Sequence, residues 1–228
     1  ETLRGLLASY PSGDFTAAAY LKTAEAMLKS GEINPASDAL KQILVKHPAS
    51  KEALSAEAVF EGLKGAGPDE FVLTGAELFE RGRNLFEANR NRKAASVFST
   101  LLTASDGVIR ADSAMLLAMA EARLKRYGEA ERVLRDYLDS SPPKKENEAL
   151  GFLSLIALRR TDIDALRAVE KTLSEKYPSS RERAQALFNL GLFHKGRGEI
   201  ETAVEYFNVL LNGFSWTEAA KDSLWETG

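Results

Sequence analysis

There is no cysteine in the 228 residues, which excludes disulfide stapling, thiol nucleophiles and thiolate metal sites together. Histidine is almost as scarce: His47 and His194 have no second ligand at a metal-binding spacing such as HExxH, so no metal site and no cofactor is expected. No apolar run approaches the roughly 20 residues of a membrane-spanning helix, and direct membrane insertion is not expected. Lysine and arginine total 30 against 33 aspartates and glutamates, a formal charge of −3, so no overall basic field is available to hold nucleic acid. The glycines of KGAGPDE and GLFHKGRGE lack the spacing of a phosphate loop or a dinucleotide fingerprint, and there is no GxSxG elbow. Carboxylates are many, but most lie beside lysine or arginine on charged helical faces, the pattern of a solvated surface. Glu121 falls instead among apolar residues of its segment, which points to a structural role. No catalytic residue is assigned, and whether the chain serves an enzyme is left undecided.

What is present is a repeated spacing of large and small residues. In 184–215, Leu187, Leu190, Gly191 and His194 recur every three or four positions, and after a turn at 196–199 so do Ala203, Phe207 and Leu210. That period predicts two amphipathic helices, with Gly191 and Ala203 small where the pair crosses. His194 takes a packing position between the helices, and His47, before Pro48, suits a helix C-terminus. The unit recurs. Ala94, Ala130, Leu166 and Ala203 are separated by 36, 36 and 37 residues, and Pro11 to Pro48 spans 37. Leu78, Gly82 and Leu85 pair with Ala94, Phe98 and Leu101; Ala114, Leu117 and Ala118 with Ala130, Leu134 and Tyr137; Leu150, Leu153 and Ala157 with Leu166, Val169 and Leu173. Units of this kind bury their apolar faces on their neighbours, so the expected fold is all-α, an α-α superhelix or solenoid of helical hairpins, with no β-structure.

Three boundaries follow from the same pattern: hairpins over 1–66 that start inside a repeat, an irregular loop at 67–74, and a regular array over 75–228 that ends inside one. A helix is expected over 51–64, but GAGPDEFVLTG follows it where a partner helix belongs, read either as a bend between two sub-arrays or, by preference, as a loop packing Phe71 and Leu73 on a neighbour. Capping signals accompany the starts: Asn34-Pro35, the box Thr74 with Glu77, and Ser179 with Glu182. Leu3, Leu6 and Pro11 match the tail of a second helix, and Leu224, Trp225 and Gly228 the start of a first one, so the sequence is expected to be a piece of a longer protein whose apolar ends could pair copies. The oligomeric state is not set by the sequence.

The hairpin of 184–215 and its relatives resemble the tetratricopeptide repeat, over residues 14–215 with one interruption. The resemblance implies a scaffold that binds a protein or peptide. It does not extend to the chaperone-tail-binding members, because Phe188 and Leu192 stand where those carry their lysine and asparagine set. Tyr10-Pro11-Ser12, His47-Pro48-Ala49-Ser50 and Tyr177-Pro178-Ser179-Ser180 look like the YPxS connectors of bacterial cell-envelope proteins. The runs LTGAELFERGRNLFEANRNRKAASVF and WTEAAKDSLWETG are similar to the helical superstructure of soluble lytic transglycosylases. That second similarity implies a periplasmic or envelope location and a link to peptidoglycan through a lysozyme-like domain that these residues do not contain.

The first helices would line the concave face. One register places Phe79, Arg83 and Phe86 there, then Met115, Met119 and Arg123, then Leu155, Leu158 and Arg159, then Phe188, Leu192 and Lys195. Apolar groups with a cation at or near one end of each rung suit an apolar peptide segment whose carboxylates pair with arginine.

Overall fold

The computed structural model describes residues 15–63, 72–104, 107–140 and 145–227. Among these there are twelve α-helices and no strand: α1 Thr16–Lys29, α2 Ile33–Lys46, α3 Glu52–Leu63, α4 Gly75–Glu87, α5 Asn91–Ala104, α6 Gly107–Arg123, α7 Tyr127–Asp139, α8 Glu146–Arg160, α9 Ile163–Lys176, α10 Arg181–Gly196, α11 Ile200–Phe214 and α12 Glu218–Thr227. The chain divides into two compact units, Glu1–Ala120 and Glu121–Gly228, with the division inside α6. The expected segment at Leu3, Leu6 and Pro11 lies outside the described residues, as does Phe71.

In the first unit, α1 and α2 form a hairpin and α3 packs across both. Their shared core contains Leu40, Ile43, Leu44, Ala53, Ala56 and Phe60, with Leu73 packed against it, as the loop reading expects. α4 packs on α2 and forms the next hairpin with α5. In the second unit α7 packs on α8, and α8 pairs with α9. α10 rests on both and pairs with α11, and α12 then packs on α11 and α10. α3, α10 and α12 thus each cover the two helices before them, which is how short amphipathic helices that are marginal alone become stable.

The hairpin turns share one device. Gly31, Asn89, Lys125, Thr161 and Gly198 all have positive φ, between 56° and 78°. Each stands just past a first helix, and the amide after it donates back five residues: Glu32 to Met27 O, Arg90 to Leu85 O, Arg126 to Glu121 O, Asp162 to Ala157 O and Glu199 to His194 O, at 2.8–3.0 Å. This is the left-handed cap that satisfies orphan carbonyls at a helix end. It reverses the chain within two or three residues, so the second helix starts beside the first.

The starts are more varied. Thr74 and Glu77 form the expected capping box, with Glu77 N–H donating to Thr74 Oγ1 at 3.2 Å and Thr74 N–H to Glu77 Oε2 at 2.7 Å. Two expectations are corrected. α10 is capped by Ser180, whose Oγ accepts from Arg183 N–H at 3.1 Å, one residue later than Ser179. α2 begins at Ile33 behind Glu32, so Asn34 and Pro35 lie inside its first turn, where a missing amide hydrogen costs no helical bond.

Candidate functional site

The small residues sit where the helices cross. A Cβ on Gly82 would lie 2.6 Å from Phe98 Cε1, and one on Gly191 would lie 2.3 Å from Phe207 Cε1, so each glycine makes room for a buried ring of the paired helix. Gly151 does the same between first helices, its place for a Cβ being 2.9 Å from Glu182 Cγ. Close packing at these points fixes which residues of each first helix remain at the surface.

Of the sequence-derived candidates, Phe79, Met115, Met119, Leu155, Phe188 and Leu192 are all half-buried, in neither the core nor open solvent. Phe79 leans on Phe98 with ring centroids 6.1 Å apart, and Phe188 on Phe207 at 5.9 Å, so one edge of each ring is held by the hairpin while the rest is free for contact. Leu158 packs partly into the core of α8–α10. Phe86 is buried and serves the interior of its hairpin. The four cations, Arg83, Arg123, Arg159 and Lys195, are exposed. Arg83 pairs with Glu87 at 3.4 Å, a weak contact within one helix. Lys195 reaches Glu226 of α12, donating to its backbone carbonyl at 2.7 Å and lying 3.0 Å from its carboxylate.

His194 is inside the second unit. Its ring stacks on Tyr206 at 5.5 Å and meets Phe193 edge-on, and Nδ1 bonds Glu199 Oε2 at 2.5 Å. That bond, with a second from Arg197, holds the Glu199 carboxyl below its ordinary range. The packing role read from sequence fits. His47 ends α2, as the sequence reading expects, and burial pushes its pKa down. Its backbone amide caps by donating to Ile43 O at 3.0 Å. Glu121 is paired with Arg126 at 3.4 Å across the turn after α6, a structural use.

Three polar arrangements went unnoticed in the sequence. Arg81, two residues from the candidate Phe79, turns inward: Nη1 donates to Leu44 O at 2.8 Å and Nη2 pairs with Glu57, joining α4 to α2 and α3. Asn84 adds a bond to Val45 O at 2.7 Å. In the second unit, buried Asn189 donates to Ser154 Oγ at 2.9 Å, and Ser154 donates to Gly151 O at 2.7 Å, setting α10 against α8. Glu146 of α8 accepts from Lys176 Nζ at 2.5 Å and Tyr177 Oη at 2.8 Å, which lowers its pKa and ties the Tyr-Pro connector to the helix two before it. Arginine and asparagine at amphipathic boundaries give no periodic signal of which way they turn.

Residues 79–144 match a family model described as a tetratricopeptide repeat, and residues 18–50 and 185–214 match a second model of the same description, together more than half of the chain. No curated protein matches the sequence. Among solved structures the chain is similar to YrrB, described as a TPR protein with an unusual peptide-binding site, with a TM-score of 0.51 and 14% identity over 99% of this chain and 98% of that one. It is also similar to MamA protein, with a TM-score of 0.49 and 16% identity over 88% of this chain and 93% of that one. At such identities the likeness concerns the fold alone.

Proposed function

We propose, from the premise that this chain belongs to the tetratricopeptide repeat family, that it is a non-catalytic scaffold whose first-helix face binds an extended or helical peptide segment of a partner protein. The observation that carries this is the set of half-buried apolar side chains on the first helices, held at one edge and open at the other. Such groups offer apolar area with little further loss of rotamer freedom, which suits them as anchors. In the first unit the anchors are Phe79, Met115 and Met119, beside Arg83. In the second they are Leu155, Phe188 and Leu192, beside Arg123, Arg159 and Lys195. The peptide-binding site named for YrrB belongs to that protein and is consistent with the same use here.

The finer setting is a bacterial cell envelope, with a periplasmic location. It rests on the resemblance of the His47-Pro48 and Tyr177-Pro178 connectors to those of envelope proteins; the two share one backbone geometry, with φ near −126° and −135° and the amide three residues later donating to the histidine or tyrosine carbonyl at 3.0 Å. A role as the helical region of a peptidoglycan-cleaving transglycosylase rests on the similarity of 73–98 and 216–228 and stands as the alternative.

Panning a random peptide library on the intact chain, followed by calorimetry of selected peptides, tests the binding face. Arg159→Glu with Arg123→Glu should weaken acidic peptides about tenfold or more while leaving helical circular dichroism unchanged. Unaltered affinity of every selected peptide for both this variant and Phe188→Glu rejects the face.

A further inference from the structure

The outer faces of the second helices in the second unit are not alike. On α7 the outward charges satisfy one another, Arg132 lying 2.9 Å from Glu129 and 3.1 Å from Asp136, and on α9 Lys171 lies 4.0 Å from Glu175. Mixed charge paired along one helix is the pattern of a face that meets water. α11 breaks the pattern. Ala203, Phe207, Leu210 and Phe214 bury one side of it, and the helical period sets Glu201, Glu205, Asn208, Val209 and Asn212 on the opposite side, with Trp216 just past the last turn. All six of these are exposed, Val209 at 49% and Trp216 at 62%.

The carboxylates of this stripe are uncompensated. α11 contains no lysine or arginine, and neither Glu201 nor Glu205 has a hydrogen bond or ion pair among the described residues. Lys221 of α12, the helix that follows, is already paired with Glu218 at 2.8 Å. The last turn of α11 has no basic residue either, so the partial negative charge of the helix end adds to the carboxylates in favouring a cation. Trp216 adjoins that end, and an indole is the best aromatic partner for lysine or arginine. The apolar part of the stripe is open: Val209 and Trp216, seven residues apart, stand about 10 Å from each other along the axis.

We propose that the outer stripe of α11 is a docking surface, separate from the first-helix face, for a basic amphipathic helix of a partner protein. Lysines or arginines one turn apart on that helix meet Glu201 and Glu205, its apolar side chains cover Val209 and Trp216, and a further cation lies over the indole. A helix laid along α11 repeats the same spacings of four and seven, so a helical segment matches the stripe better than an extended one. A second copy of this chain does not: α11 against α11 would bring four carboxylates together with no cation of that helix between them, and six side chains fall far short of the roughly 20–30 residues a side of a standard interface.

The probes are acetyl-Lys-Leu-Ala-Ala-Lys-Leu-Ala-Lys-Leu-Ala-Ala-Lys-Leu-amide and its counterpart with every lysine replaced by glutamate, titrated into the isotopically labelled chain and followed by amide and indole chemical shifts. The basic peptide should move Glu205, Val209, Asn212 and the Trp216 indole saturably, and the acidic one should bind about tenfold or more weakly. Glu201→Gln with Glu205→Gln, and separately Trp216→Ser, should each weaken the basic peptide about fivefold. All three positions are exposed, so helical circular dichroism should not change. Glu129→Gln on α7 should leave the affinity as it is. Absence of saturable shifts on α11, equal binding of the two peptides, indifference to either α11 variant, or an equal loss on Glu129→Gln overturns the surface. Shifts confined to Phe188 and Leu192 would support the first-helix face and reject this one. The same α11 shifts on concentrating the chain alone would seat a second copy there and overturn the partner.

Discussion

Gly191 lies directly beneath the ring of Phe207: a Cβ at that glycine would stand 2.3 Å from Phe207 Cε1 and 2.7 Å from two more ring carbons. Phe207 is 1% exposed, so the ring has no solvent side into which it could swing. Gly191→Ala should therefore force α10 and α11 apart and cost about 1–3 kcal/mol, read as a lower urea midpoint. Gly196→Ala, near the end of the same helix with nothing within 4 Å, is the control and should be neutral or slightly stabilising. Equal effects of the two would show that the close approach is not what matters.

At Thr161 the fold holds a β-branched residue at φ 58°, where Gly31 and Gly198 occupy the same place in other turns. Left-handed backbone costs a residue bearing a Cβ about 1–2 kcal/mol, more easily borne by asparagine than by threonine. Thr161→Gly should recover about 1 kcal/mol of that, less glycine's larger unfolded entropy, and raise the melting temperature. A lower melting temperature would mean that the turn draws stability from the threonine side chain.

The pair of Arg81 and Glu57 is a stability element rather than a free binding group. Arg81→Leu leaves Leu44 O without its side-chain donor and Glu57 without its cation, so a loss of about 2 kcal/mol is expected by chemical denaturation. Arg83→Leu, on an exposed residue of the same helix, should change stability little. The contrast tests which of the two arginines the fold uses.

Glu146 gives a pH signature. Hydrogen bonds from Lys176 and then Tyr177 lower its pKa below the ordinary 4.5, against a smaller opposing effect of burial. A carboxylate whose folded pKa is depressed contributes stability that is full above the unfolded value and lost as pH falls through the folded one. Hence the native chain should exceed Glu146→Gln in stability at neutral pH, and the gap should begin to close below about pH 4.5. Tyr177→Phe should remove part of the same gap, about 1 kcal/mol. A gap that is constant from neutral pH to pH 3 would assign the effect to packing instead.

The legible part of the molecule was the part that repeats. Gly82, Gly191, Ala94 and Ala203 stood at crossing positions because a crossing needs small residues at a fixed period, and Thr74 with Glu77 is a local signal for a local structure. The hairpin turns were less legible, since their common left-handed residue is glycine in two cases and Asn89, Lys125 and Thr161 in the others. There the backbone geometry is imposed by the helices on either side, and the residue tolerates it. The same holds for the shift of the cap from Ser179 to Ser180, a choice between adjacent hydroxyls that only the exact start of α10 decides.

The sequence by itself determined an all-α chain of tetratricopeptide-type hairpins, the crossing residues and the apolar character of the first-helix candidates, because period and residue size are written directly in one dimension. The tertiary structure decided what depends on neighbours distant in the chain: that Arg81 turns inward while Arg83 stays out, that Phe86 is core while Phe79 is half-open, and that Asn189 meets Ser154 across 35 positions. It also decided that α4 settles on α2 and leaves a cleft beside α3. The physical reason is that a helix period states only which residues share a face. Which face is covered, and by what, depends on the packing of helices whose contacts the sequence does not order.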